Sequence, residues 1–270
     1  MTAATPSKGP NALADVETRV LNVRIHGVTR AQAVAWITAW IEAGISAHVA
    51  TVNTEFVMRA RHDNDFRKVL EHTTLNVADG TGIVIAARLS RSVMPERVAG
   101  VDLAQDLAAV AAKRGHTLML VGGSKGTADQ ASIELQRKNP NLRPPITHVG
   151  HPNKSSDHEA QEILHRFQPH IVLVAYGAPL QEQWIARNLP ALNGTVAIGV
   201  GGALDYISGR KRRAPAAVRQ IGLEWAYRLY REPWRWRRMR VLPLFAWYAL
   251  VEAIRSRGET RRTPLPWLEA

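Results

Sequence analysis

This sequence predicts an α/β protein: a Rossmann-like, largely parallel sheet with helices on both faces, followed by a basic, mostly helical C-terminal appendage. Three observations predict it. Between Val20 and Gly202, short β-branched runs alternate with segments of helical period, the pattern of strands joined by crossover helices. Glycines and polar residues gather at the ends of those runs, where open parallel sheets bind ligands. The charge is also unevenly divided: residues 210–270 carry 15 Lys and Arg against 5 Asp and Glu, whereas residues 1–209 carry 20 against 18.

Taken in order, residues 1–19 lack the apolar core of a signal peptide behind their basic residue and are expected to be a disordered tail. Residues 20–209 are expected to form the core. Its strands are predicted at Val20–Ile25, His48–Asn53, Thr74–Asp79, Thr117–Gly122, Ile146–Gly150, Ile171–Gly177 and Thr195–Gly201. Helices fill the gaps. The first is announced by a capping box, Thr29 with Gln32, followed by Val34, Ile37 and Ile41 at core spacing. Trp36 and Trp40, one helical turn apart, read as packing residues. The remaining unit, residues 210–270, is the basic appendage, and it holds five of the eight Trp.

Composition narrows the function. With 46% hydrophobic and 21% charged residues, the 270-residue chain has the balance of a packed protein, not of a fibrous or disordered one. The absence of cysteine excludes a disulfide framework, a thiolate nucleophile and a Cys-ligated metal. An appendage both cationic and aromatic points to an anionic partner. Its longest uncharged apolar run, Val241–Val251, is eleven residues, where a spanning helix needs about 20. Such a segment can lie on a bilayer without crossing it, and Trp234, Trp236 and Trp247 beside arginines suit that interface. A solvated cationic face is the plainer reading of the same residues.

The residues with chemistry sit at predicted strand ends. In VADGTG, Val77–Gly82, Asp79 follows an apolar strand and precedes two glycines, so its carboxylate stands at the sheet rim where it can act as a general base or as a helix N-cap. A nicotinamide-dependent oxidoreductase would need G-x-G-x-x-G here, but Ile85 occupies the third glycine position, and Leu204 does so in the run at Gly199–Gly202. Asp102, the acid about 20 residues on, lies in a helical stretch instead of at a strand end. Asp63-Asn64-Asp65 imitates a metal-binding D-x-D but sits in a charge-rich helical stretch, as an exposed face or a helix interruption would. No metal and no cofactor are expected. The glycines of VGGSKG, Val121–Gly126, offer amides to a diphosphate or form a plain turn. Arg228, Arg231, Arg235 and Arg238 share one face of a continuous helix, although Pro233 argues for a break within it.

Seven motifs in one order resemble those of the WecG/TagA/CpsF glycosyltransferases of bacterial envelope and exopolysaccharide synthesis. They are T-x-N (Thr51, Asn53), DGxG (Asp79–Gly82), ERVAGVDL (Glu96–Leu103), GAPLQEQW (Gly177–Trp184), GVGGALDYISG (Gly199–Gly209), RAP (Arg213–Pro215) and LEWAYRLYREPWR (Leu223–Arg235), and the likeness runs from about Arg19 to Arg238. Leu180 departs from the family pattern, which usually has Lys there. The resemblance implies an inverting, metal-independent transfer of a hexose, of the N-acetylmannosamine or glucose type, from a UDP-sugar to a polyprenyl-diphosphate-linked sugar. By motif match, Asp79 is similar to the family's general base. Thr51, Asn53 and Gln181 are similar to its substrate-pocket residues, and Arg97 to a cation near the pocket. Arg228, Arg235 and Arg238 resemble arginines that the appendage brings over the site to hold diphosphate. The implied setting is the cytoplasmic face of the bacterial plasma membrane, with peripheral attachment to an anionic surface, and a homo-oligomer remains open. The rival from another class, a nucleic-acid-binding module using the Arg/Trp tail, has no helix-turn-helix, RRM or KH signature beside it, so no nucleic-acid partner is expected.

Overall fold

The structure, a computed structural model, describes residue 13 and residues 16–191 and 193–260, with side chains described as far as residue 255. Most of the predicted N-terminal tail and residues 261–270 lie outside the described residues. Among the described residues there are eight strands: β1 (Glu17–Val20), β2 (Val23–His26), β3 (Ala47–Val52), β4 (Leu75–Ala78), β5 (Leu118–Gly122), β6 (Ile146–His148), β7 (Ile171–Ala175) and β8 (Val196–Gly199). They form one sheet in the order β1-β2-β4-β3-β8-β7-β5-β6, in which β1 alone is antiparallel to its neighbour.

One strand expectation is corrected. Val20–Ile25, read as a single strand, holds the last residue of β1, the turn and most of β2 of a hairpin, with Val20 paired to Val23 and Glu17 to His26. Leu21 and Asn22 both take positive φ, 48° and 67°, the conformation that a two-residue hairpin turn requires. Leu21 is apolar and buried, so the hydrophobic run hides the turn. Glu17–Arg19, assigned to the tail from the sequence, is therefore an edge strand.

Helices fill both faces: α1 (Arg30–Glu42), α2 (Thr54–Ala60), α3 (Asn64–His72), α4 (Thr81–Leu89), α5 (Gly100–Arg114), α6 (Thr127–Lys138), α7 (Asp157–Phe167), α8 (Leu180–Asn188) and α9 (Ala203–Ile207). The capping box forms as predicted, with the Gln32 amide donating to Thr29 Oγ1 at 3.1 Å and the Thr29 amide to Gln32 Oε1 at 2.8 Å. Side chains alternate across the central strands. Val49, Leu118, Leu120, Leu173 and Ile198 pack under α1, α5 and α6, together with partly buried Trp36 and Trp40. Ala50 and Val52 face Phe56, Phe66 and Ile83 on the other side, where Met119, Val121, Val172 and Val174 also meet Trp184. Burial on both faces is why these strands read as unbroken apolar runs.

The appendage folds back onto this core through α10 (Ala216–Gln220), α11 (Glu224–Arg231), α12 (Trp236–Met239) and α13 (Val241–Thr260). Along α13, Phe245, Ala249 and Ala253 are buried at i, i+4 and i+8, the first two in the cluster behind β3 and β4. Glycine permits the approach, since a Cβ on Gly82 would lie 2.8 Å from Thr54 Cγ2 and 3.6 Å from Phe245. The opposite face of α13 exposes Leu244, Trp247, Leu250 and Ile254. Among the described residues, no helix is long and apolar enough to cross a membrane. The break that Pro233 argued for is present: α11 stops before Pro233, which begins a 3-10 turn, Pro233–Arg235. Proline lacks an amide proton and pushes its predecessor, Glu232, out of the helical region (φ −132°, ψ 73°).

Candidate active site

The carboxyl ends of β3, β4, β5, β7 and β8 open into a cleft of about 660 Å³, and the appendage closes its rim. Thr51, Asn53, Asp79, Gln181, Arg228, Arg235 and Arg238 all line it. Residues up to 187 positions apart in the chain thus meet because a parallel sheet presents every strand end on one edge.

Each core residue is set by local structure. Thr51, the penultimate residue of β3, is buried and donates its hydroxyl to the Gly199 carbonyl at 2.7 Å, tying the ends of β3 and β8 together. Asn53 caps α2, its Oδ1 accepting from the Glu55 and Phe56 amides at 2.9 and 3.2 Å. This leaves its amide nitrogen for the cleft. Gln181, 1% exposed, is a clip between two loops: Oε1 accepts from the Gly177 amide at 3.1 Å and the Gly201 amide at 2.9 Å, and Nε2 donates to Glu182 Oε1 at 2.9 Å. Behind it, His48 Nε2 lies 2.5 Å from Glu182 Oε2, and both side chains are buried.

Asp79 follows β4 directly. It does not cap the helix after it: α4 begins at Gly80 without a side-chain cap, and the Asp79 carboxylate accepts instead a long 3.4 Å bond from the Gly100 amide at the start of α5. Burial pushes its carboxyl above the usual aspartate range, opposed by the charges of Arg97 and Arg228 and by the Gly100 amide, and reinforced by Glu224. A carboxylate of raised basicity facing a cleft can accept a proton from a bound hydroxyl near neutral pH.

The appendage supplies the cations, each held by a carboxylate. Arg228 lies 2.5 Å from Glu224 Oε1, with its guanidinium 4.9 Å from the Tyr206 ring centre. Arg235 pairs with Glu232. Arg238 reaches across to Glu55 of α2 at 2.5 Å. Lys211 sits 3.2 Å from both Asp205 and Glu232. Despite the break at Pro233, the turn returns Arg235 and Arg238 to the same cleft as Arg228. Arg97, which the motif match put near the pocket, is not among the residues that line the cleft; it donates to Glu224 at 2.8 Å. Gly123 and Ser124 of VGGSKG also line the cleft, while Arg210 holds the loop by donating to the Lys125 carbonyl at 2.8 Å. Asp63 of the D-x-D is the N-cap of α3, accepting from the Phe66 amide at 2.9 Å. Asp102 lies in the first turn of α5 and is bound through both oxygens by Arg213, at 2.5 and 2.9 Å.

A cleft with one basic carboxylate and a rim of guanidinium groups suits displacement of an anionic leaving group. Residues 18–259 match the profile described as the glycosyl transferase WecG/TagA/CpsF family. The chain belongs to that family. This WecG/TagA/CpsF member is thus a glycosyltransferase, as the motifs implied. It is 33% identical over 213 residues to the N-acetylglucosaminyldiphosphoundecaprenol N-acetyl-beta-D-mannosaminyltransferase of Bacillus subtilis (strain 168), covering 79% of this chain and 82% of the relative. The protein of the same name in Staphylococcus aureus (strain MW2) is 29% identical over 211 residues, covering 77% and 81%.

Sequence reasoning missed Glu55, Tyr206 and Lys211 in the cleft lining of this glycosyltransferase and, above all, Glu224, which lies outside that lining and binds Arg97 and Arg228. Glu224 had a readable signal: it stands four residues before Arg228, the favourable i, i+4 order on a helix. Glu55 and Lys211 carried none, because their partners come from other elements.

Proposed function

We propose that this glycosyltransferase moves a hexose from a UDP-sugar to a polyprenyl-diphosphate-linked sugar, with inversion and without a divalent ion. The observation that carries the reading is Asp79 facing a cleft rimmed by Arg228, Arg235 and Arg238. An acceptor hydroxyl gives its proton to Asp79 while its oxygen forms a bond to the anomeric carbon. The bond from that carbon to the nucleotide breaks, and its electron pair leaves on the β-phosphate oxygen of UDP. Guanidinium groups and strand-end amides offset the growing charge, which is the work a metal does in other transferases. The names of the two relatives favour N-acetylmannosamine as the transferred sugar and a diphosphoundecaprenol-linked N-acetylglucosamine as the acceptor.

The exposed face of α13, with Trp247 62% and Ile254 60% exposed, together with exposed Trp234 and with Trp236 beside Arg237 and Arg240, supports peripheral attachment to an anionic membrane surface. That is where a lipid-linked acceptor resides. The test is a panel of UDP-sugars with a synthetic prenyl-diphosphate sugar, following product mass and released UDP, with and without EDTA. Turnover of one donor, unaffected by EDTA and lost by at least about 10²-fold in Asp79→Asn with donor binding kept, is expected. Near-normal turnover in that variant, or a requirement for Mn²⁺, would refute the mechanism.

A further inference from the structure

Glu224 is 3% exposed and has three arginines around it. Oε2 accepts from Arg97 at 2.8 Å, while Oε1 lies 2.5 Å from Arg228 and 3.5 Å from Arg213. Arg97 belongs to the segment before α5, anchored by the Val98 amide donating to the Ala78 carbonyl at 2.8 Å, one residue before Asp79. Arg228 belongs to the appendage. Arg213 is independently fixed by Asp102. A single buried carboxylate thus joins the strand that presents Asp79 to the helix that presents Arg228.

We propose that Glu224 is a positioning residue: it holds Arg97 from the core and Arg228 from the appendage against the flank of Asp79, so that the base is correctly framed only when the appendage is docked. The proposal rests on the reading of Asp79 as the general base. The charges that act on Asp79 are those of Arg97, Arg228 and Glu224, and the Gly100 amide donates to it; the groups in contact with Glu224 are Arg97, Arg213 and Arg228. Burial pushes the Asp79 carboxyl up and the two arginines pull it down. Two roles for Glu224 therefore predict opposite signs. If it acted only as a neighbouring negative charge, removing it would make Asp79 easier to ionise. If it positions the arginines, removing it lets them move away and makes Asp79 harder to ionise.

The experiment is the pH profile of kcat/KM for the full chain and for E224Q, E224D and R97M, with D79N measured first. Loss of turnover in D79N assigns the acidic limb to Asp79; retained turnover there rejects the base assignment itself and is separate from any result on Glu224. With that established, E224Q is expected to move the acidic limb up by about one pH unit, the low end of what one adjacent opposite charge does to a carboxyl. On that limb this is about a tenfold loss. E224D, which keeps the charge but retracts it, is expected to move the limb in the same direction by less, and it carries the test if E224Q does not fold. In the R97M background, E224Q is expected to add less than it does alone. An acidic limb that stays in place, or that moves to lower pH, in E224Q or E224D would overturn the proposal.

Discussion

Gly199→Ala tests whether the buried His48–Glu182–Gln181 chain supports the cleft floor. A Cβ built on Gly199 would stand 2.0 Å from Glu182 Oε1 and 2.7 Å from Gln181 Nε2. Neither group has room to retreat, because Glu182 is 0% and Gln181 1% exposed, and the other Glu182 oxygen lies 2.5 Å from His48. Displacing the carboxyl group breaks its buried contacts with Gln181 and His48, a loss of about 3–5 kcal/mol. At about 2–4 °C per kcal/mol for a chain of this size, the melting temperature should fall by roughly 6–20 °C. The same displacement releases Gln181 from the Gly177 and Gly201 amides, so turnover should fall in the protein that remains folded. Thermal unfolding of G199A, E182A and the double variant reads the coupling directly. With the carboxylate gone, the 2.0 Å contact disappears and the Gln181 amide can shift into the vacated space, so G199A should cost far less in the E182A background. Additive losses, or a G199A melting temperature within about 2 °C of the wild type, would refute this reasoning.

Two further outcomes follow from the appendage. Burial would raise the Glu224 carboxyl, but Arg228 and Arg97 outweigh it and hold it down at about 2. Its contribution is therefore fully present above the ordinary glutamate range and lost as the pH falls from about 4.5 toward 2, and acid unfolding followed by tryptophan fluorescence should show a shallower loss in that window for Glu224→Gln. Replacing Trp247 and Ile254 together by Glu should abolish sedimentation with anionic vesicles while leaving transfer to a short-chain, water-soluble acceptor within about twofold, since both side chains point away from the cleft-forming core.

How much was legible shows in particular elements. Six of the seven predicted strands are single strands within two residues at each end; burial on both faces writes the central ones as apolar runs of distinct length, while half-buried β6, at the sheet edge, is marked by β-branched Ile146 and Thr147. The hairpin at Leu21–Asn22 escaped because an apolar residue occupies a turn position. Asp79, Thr51 and Asn53 could be placed at strand ends from local pattern, and spacing grouped the arginines, while the resemblance supplied the pocket roles of Gln181 and of Arg228, Arg235 and Arg238. The use of Gln181 as a clip was invisible, since it depends on amides 4 and 20 residues away meeting one carbonyl oxygen.

By itself the sequence determined the alternation of strands and helices, the cationic character of the last 61 residues and the presence of a carboxylate at the end of β4. These are local properties: period, composition and the order of residues along a strand. Only the tertiary structure decided that the appendage packs onto the core instead of standing apart, that its arginines reach the cleft despite a proline break, and that Glu224 fastens it beside Asp79. Those outcomes depend on which surfaces come together in space, and an ion pair between residues 97 and 224 leaves no trace in the pattern around either one.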